Sequence, residues 1–222
     1  MTPHDVFVTG GSGYIGRPLI RELLARGHSV RALVRSVSAT KVPVGAQVVA
    51  GDALSAASVR DALGEADTLV HLVGTSHPNP SKARQFREVD LASIRASALA
   101  AANSTVKHFI YVSVAHPAPV MRSFIAARTE GEALVLASGI PATILRPWYI
   151  LGPGHWWPYL LVPFYKVQEV LPWTTESAHR LGLVSLAQMV AALVLAVENP
   201  AQKAKIIEVP TIRKPWLTSA AP

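Results

Sequence analysis

The sequence predicts an α/β protein built on a doubly wound parallel sheet, and three observations carry that expectation. Short β-branched runs alternate with helical stretches along most of the chain. Those runs are apolar at consecutive positions rather than at every second one, as strands covered by helices on both faces require. A cluster of glycines stands where the first run passes into the first helical stretch, the place where such sheets turn sharply.

Asp5 to Thr9 reads as a strand, Ile15 to Arg26 as a helix stopped by Gly27, and Val30 to Val34 as a second strand. Gln47 to Ala50 is a strand, Ala57 to Leu63 a helix, Thr68 to Val73 a strand, and Lys82 to Ala102 one long helix. Phe109 to Val114 is a strand, Phe124 to Ala137 a helix ended by Gly139, and Ala142 to Leu145 a strand. After Pro147 the texture changes, because residues 148–176 hold four of the five tryptophans among prolines and glycines. Regular structure resumes with Leu181 to Val184 as a short strand. Ser185, with Gln188 three residues on, forms a capping box that opens a helix to about Glu198, which Asn199-Pro200 stops. The tail from Thr211 to Pro222 reads as loosely attached. The expected division is a core over 1–147 and an abbreviated segment over 148–222, packed together as one domain, since 222 residues suffice for one buried core and are short for two.

Composition narrows the chemistry. With no cysteine, disulfides, thiolate nucleophiles, zinc ribbons and iron–sulfur clusters held by cysteine are excluded. The eight histidines form no HExxH, so no metal is expected. A net charge of +7 would suit nucleic acid only if the basic residues gathered on one element; they are spread along the chain, so no nucleic-acid partner is expected. The excess of 21 Lys and Arg over 14 acids fits an anionic small molecule or an anionic membrane surface. No run of ~18–20 apolar residues and no signal peptide are evident, which points to a cytoplasmic protein.

The loop Gly10-Gly11-Ser12-Gly13-Tyr14-Ile15-Gly16 closes a strand and opens a helix. Gly10 permits the tight turn, Gly13 lets backbone approach a pyrophosphate, and Gly16 lets helix and strand pack closely, leaving helix N–H groups for an anion. An acid at the end of the second strand would select NAD; none occurs between Glu22 and Asp52. That strand ends in Val34-Arg35, and Arg17 follows the last glycine. A guanidinium there binds a 2′-phosphate, so NADPH is expected over NADH, with a solvated surface arginine as the alternative for both residues.

The glycine spacing, Gly51-Asp52, His71-Leu72-Val73-Gly74, the run from Phe109 to Ser113, and Leu145-Arg146-Pro147 with Gly152-Pro153-Gly154 form a set. As a set they resemble the atypical and extended short-chain dehydrogenase/reductase superfamily, within it the nucleoside-diphosphate-sugar epimerase-like and NmrA-like NAD(P)-binding proteins. The resemblance covers most of residues 5–200. It implies a Rossmann fold in which Asp52 and Ala53 face the adenine, and Leu72, Val73 and Gly74 line the adenosine and ribose. It also implies that Ser113 orients a substrate carbonyl and that Pro147 passes the nicotinamide. Asp52 as a turn residue or helix cap is a rival reading, and His71, inside an apolar run, reads as a core histidine.

The family's catalytic pair is a tyrosine and a lysine four residues later. Here those places fall on Phe124 and Arg128. Phe124 cannot move a proton; Arg128 keeps a positive charge that could hold ribose hydroxyls or phosphate. Tyr149, Tyr111 and His116 are candidate substitutes. The aromatic segment, including Trp156, Trp157, Tyr159 and Trp173, reads as an apolar lid suited to a hydrophobic carbonyl or quinone-like substrate, as a membrane-surface or protein-docking patch, or as completion of the core. Two functions stay open: an NADPH-dependent reductase, or a non-catalytic dinucleotide-binding sensor or accessory subunit.

Overall fold

The computed structural model describes residues 2–118, 120–153 and 182–214. Its main sheet is wholly parallel. In chain order the strands are β1 (Asp5–Thr9), β2 (Ser29–Val34), β3 (Gln47–Ala50), β4 (Thr68–His71), β5 (His108–Val112) and β6 (Ala142–Arg146). Past these lie a two-stranded parallel pair, β7 (Tyr149–Leu151) with β8 (Leu183–Ser185), and β9 (Ala204–Glu208), which rejoins the main sheet. The order across the sheet is β3-β2-β1-β4-β5-β6-β9.

Helices cover both faces, as the continuous apolar strands require. On one face, Leu19, Ile20 and Leu23 of α1 (Gly16–Ala25) pack with Leu193 and Val197 of α5 (Leu186–Glu198). On the other, Val59 and Leu63 of α2 (Ala56–Leu63) join Phe86 and Ile94 of α3 (80–101) and Val135 of α4 (Arg122–Ala137). Fully burying each such side chain is worth about 1.5–3 kcal/mol. Gly27, at φ +83°, ends α1 in a left-handed turn open to glycine. The Ser185–Gln188 capping box is formed in both directions and starts α5.

Three expectations need correction. The stretch expected as one long helix, here α3, is composite: a 3₁₀ turn at Pro80–Lys82, an α-turn at Ala83–Gln85, a π-turn at Phe86–Leu91 and an α-helix at Ala92–Ala101. The strand β9 had no place in the sequence reading, because Ile206-Ile207 is flanked by Lys205 and Glu208 and looks like a solvated connection. Pairing with β6 from Ala142↔Ala204 to Arg146↔Glu208 makes it a strand. The tail is docked as far as residue 214. Val209 and Ile212 of α6 (Val209–Ile212) are buried, and Arg213 Nε donates to the Leu183 carbonyl at 2.7 Å.

Of the aromatic segment, Trp148 and Tyr149 are described. Trp148 packs on the α1–α5 core and edge-on to Tyr149, ring centroids 5.4 Å apart. Trp156, Trp157, Tyr159 and Trp173 lie outside the described residues. Among the described residues no helix is long and apolar enough to cross a membrane.

Candidate functional site

The strand order fixes where a ligand can sit. β1 pairs with β2 on one side and β4 on the other, so the chain leaves β1 in opposite directions and opens a crevice beyond the carboxyl ends of these strands. A crevice of about 610 Å³ lies there, walled by the loops after β1, β4, β5 and β6 and by Met121, Phe124 and Arg128 of α4. A smaller hollow of about 280 Å³, between α5 and the β6–β9 edge, lies away from the glycine loop.

The glycine loop is shaped by close approach. Gly10, at φ +78°, turns the chain so tightly that a Cβ on it would come within 2.9 Å of the Leu72 carbonyl carbon. Gly16 packs directly on the Gly10 carbonyl oxygen and the Gly11 backbone, which seats the start of α1 against the turn. Gly13 N–H donates to the Gly10 carbonyl at 2.9 Å, and Gly13 is exposed at the mouth. No side chain caps α1 and no acid stands in its first turn. Arg17 N–H donates to the Gly13 carbonyl at 3.2 Å, Leu19 N–H to the Ile15 carbonyl at 3.1 Å and Pro18 has none, so it is Gly16 N–H, with the turn that leads into it, that stands open to an anion. Those features fit the pyrophosphate of a dinucleotide.

Gly10, Gly13, Tyr14, Ile15 and Gly16 line the crevice, and so do Leu72, Gly74, Ser113, Arg128, Pro147 and Tyr149. Gly11 does not. It faces the core, where a Cβ would meet Ile20 Cδ1 at 2.9 Å and Ala32 Cβ at 3.0 Å, so its smallness serves packing. Ser12, Arg17, Val73, Arg35, Asp52 and Ala53 also lie outside these walls. Arg35, at the end of β2, and Arg17 are exposed. Asp52 closes its own turn, its Oδ1 accepting from Leu54 N–H at 2.9 Å, which is the turn-residue reading.

On the opposite wall the arrangement is one of side chains. Arg128 is buried in α4. Its Nη1 donates to the Val112 carbonyl at 2.9 Å and its Nη2 to Asp90 Oδ1 at 2.7 Å. The other oxygen of Asp90 accepts from both the N–H (2.9 Å) and the hydroxyl (2.6 Å) of Thr75. The guanidinium sits 5.2 Å from the Phe124 ring centroid, and Phe124 in turn lies 5.0 Å from Phe86. The positive charge of Arg128 is therefore already matched by a carboxylate. Asp90 and Thr75 were missed in the sequence. The signal was there: Asp90 falls between Phe86 and Ile94 on the buried side of the helical run, where an acid is rare unless paired.

Ser113 enters the crevice wall, its N–H donating to the Leu145 carbonyl at 2.8 Å. Its hydroxyl is buried near Glu132 but not aligned in a hydrogen bond with it. Glu132 is gripped by Arg146, Nε to Oε1 at 2.9 Å and Nη2 to Oε2 at 2.6 Å, with His116 Nε2 3.6 Å away. Burial alone would raise the Glu132 carboxyl. The two hydrogen bonds from Arg146, the proximity of the Ser113 hydroxyl and the charges of Arg146 and His116 outweigh it and hold the group below the usual carboxylate range.

The three candidate substitutes for the tyrosine separate. Tyr149 lines the crevice; Tyr111 and His116 do not. Tyr111 is buried in the sheet, and desolvation pushes its phenol up, against proton donation. His71 is a core histidine: Nδ1 lies 2.9 Å from Thr9 Oγ1 and 3.0 Å from Ser97 Oγ, and burial, aided by the Arg128 charge, brings its pKa down to about 3. Among the described residues no group of histidines and acids is arranged to hold a metal ion.

A parallel sheet with its switch point beside a glycine turn and an uncapped helix defines a dinucleotide-binding Rossmann protein. Residues 10–153 match the family described as NAD(P)H-binding, and the chain belongs to that family. It is 30% identical, over 66% of its length and 50% of the relative's, to the 4-hydroxy-2-methyl-3-oxo-4-farnesyl-3,4-dihydroquinoline-1-oxide ketoreductase of Stigmatella aurantiaca. It is 28% identical, over 92% of its length and 42% of the relative's, to the chloroplastic protein TIC 62 of Pisum sativum. The chain thus spans about half the length of these curated relatives. Its fold is similar to that of the Bordetella bronchiseptica enzyme WbmH, solved with NAD+, with a TM-score of 0.72 and 20% identity over 95% of this chain and 77% of that one.

Proposed function

We propose that this chain binds NADPH in preference to NADH and passes its hydride to a small hydrophobic carbonyl or quinone-like substrate. The observation that carries the reading is the crevice itself, with the glycine turn and open start of α1 on one wall and Ser113 with the apolar Val112, Val114, Met121 and Phe124 on the other. Bound NADPH would supply the hydride. The Gly16 N–H and the turn that leads into it would hold the pyrophosphate, and Arg35, exposed beyond β2 with no acid nearby in sequence, would take the 2′-phosphate. Ser113, after a rotation about χ1, would donate its hydroxyl hydrogen to the substrate oxygen, and Tyr149 is the phenol placed in the crevice to supply the proton. The ketoreductase among the relatives supports this substrate class.

A second reading is a non-catalytic dinucleotide-binding sensor or accessory subunit. What favours it is Phe124 in the tyrosine's place, together with an Arg128 whose charge is engaged by Asp90. Fluorescence titration with NADPH and NADH, followed by a carbonyl and quinone screen that watches NADPH absorbance, separates the two. Tight NADPH binding with turnover supports the reductase, and tight binding with none across the screen supports the sensor. A preference for NADH sinks the role given to Arg35.

A further inference from the structure

We propose that Asp90 and Arg128 form a latch that fixes the 75–79 loop as the wall for the nicotinamide half of the dinucleotide, making Asp90 a positioning residue. This deepens the dinucleotide reading and rests on it.

Four separate pieces of chain meet at the latch. The π-turn of α3 carries Asp90 into the interior, the local widening that such turns provide. Asp90 then holds Thr75 by two hydrogen bonds and Arg128 by a third, while Arg128 reaches on to the Val112 carbonyl at the end of β5. Gly74 admits the guanidinium because it has no Cβ; one placed there would collide with Arg128 Nη2. The far end of the loop is pinned separately. Asn79 Oδ1 accepts from Ser81 N–H at 3.0 Å, and Lys82 Nζ donates to the Ser76 carbonyl at 2.6 Å. Between these two anchors, Ser76, His77 and Pro78 face the crevice.

Strand order says which half of the ligand this wall meets. The 2′-phosphate end belongs beyond β2, at Arg35, and the pyrophosphate belongs at the glycine turn after β1. The rest of the dinucleotide must then run across the switch point to the side of β4 and β5. There the 75–79 loop lines the same crevice as Phe124 and Ser113. A buried ion pair is often replaceable by apolar residues without loss of stability, so its value here lies in the geometry it imposes on the loop.

The test compares whole and half ligands by fluorescence titration: NADPH against 2′,5′-ADP, with NADH against ADP as a control pair. Because Asp90→Asn alone leaves Arg128 unpaired and risks unfolding, the main variant is Asp90→Asn combined with Arg128→Met, and Thr75→Val removes one hydroxyl bond alone. The double variant should weaken NADPH by ~10-fold and Thr75→Val by ~3-fold, with 2′,5′-ADP changed less than ~2-fold in each. Amide hydrogen exchange at 75–79 should quicken in both. Equal losses for whole and half ligands, or none in a folded double variant, overturn the latch and leave dinucleotide binding standing. A wild type that binds neither dinucleotide overturns both.

Discussion

The two walls of the crevice are built by different means. The glycine-turn wall is made of backbone: Gly10 and Gly16 approach carbonyl groups so closely that a side chain would not fit, and the group open to the ligand is Gly16 N–H, with the turn that leads into it. The α4 wall is made of side chains, the apolar Met121 and Phe124 beside Arg128, whose charge is held by Asp90 from 38 residues away; outside the lining, Glu132 is held by Arg146 of the next strand. A backbone wall binds any dinucleotide and is indifferent to the reaction that follows. A wall of side chains is the one that can distinguish one substrate or reaction from another, and here it presents Phe124 and an Arg128 already paired with Asp90.

The largest effect expected from the side-chain wall is on stability. Arg128→Met alone strands a carboxylate at Asp90, which is 1% exposed, and should cost about 3–5 kcal/mol in chemical denaturation, far more than the double variant. Equal stabilities for the single and double variants would show that Asp90 takes up a proton at little cost. Phe124→Tyr restores a phenol beside Arg128. Because Asp90 already neutralises that guanidinium, carbonyl reduction should rise by ~10²-fold, the low end for a positioned acid, as read by initial rates. No rise over a wild type that turns over would leave the proton to Tyr149, and no turnover by either protein, both binding NADPH, would favour the sensor reading. Beyond both walls, past β2, Arg35→Ala should weaken NADPH ~10-fold and leave NADH unchanged, measured by titration.

A further effect belongs to neither wall and serves as a reference. His71 is held neutral with a pKa of about 3, and His108 is lowered to about 4, chiefly by burial. Unfolding releases both to ordinary values near 6.5, so the unfolded chain binds more protons wherever the pH lies between the folded and unfolded pKa values. Their contribution to stability is complete above about pH 6.5 and falls as the pH drops through that window. About 1–2 kcal/mol per histidine should be lost by pH 5 in urea titrations. A flat profile from pH 7 to 5 would mean that His71 is charged in the folded protein.

The same contrast explains what the sequence disclosed. Gly10, Gly13 and Gly16 declare themselves because a backbone constraint allows one residue type at a fixed spacing, and the Ser185–Gln188 cap does so because both partners lie within one turn. Asp90 hides because its partner Arg128 is 38 residues away and its placement depends on a π-turn that no local pattern announces. Gly11 misleads for the opposite reason. It belongs to the motif by spacing, yet its neighbours Ile20 and Ala32, which only the folded chain brings to it, give it a packing role. β9 was invisible since a short edge strand between charged residues carries little periodicity of its own.

The position of β1 has a consequence for synthesis. β1 leaves the ribosome before either of its sheet neighbours, β2 on one side and β4 on the other, where Thr9 pairs with His71. Until that second partner emerges, one edge of β1 is left with open hydrogen-bonding groups on an apolar strand, a form prone to pairing with other chains. β9 differs in that its partner β6 is already made when it emerges. β1 is thus open on one edge over the interval in which α1, β2, β3 and α2 are made, and a chaperone holding that stretch would act on the part that carries the glycine turn.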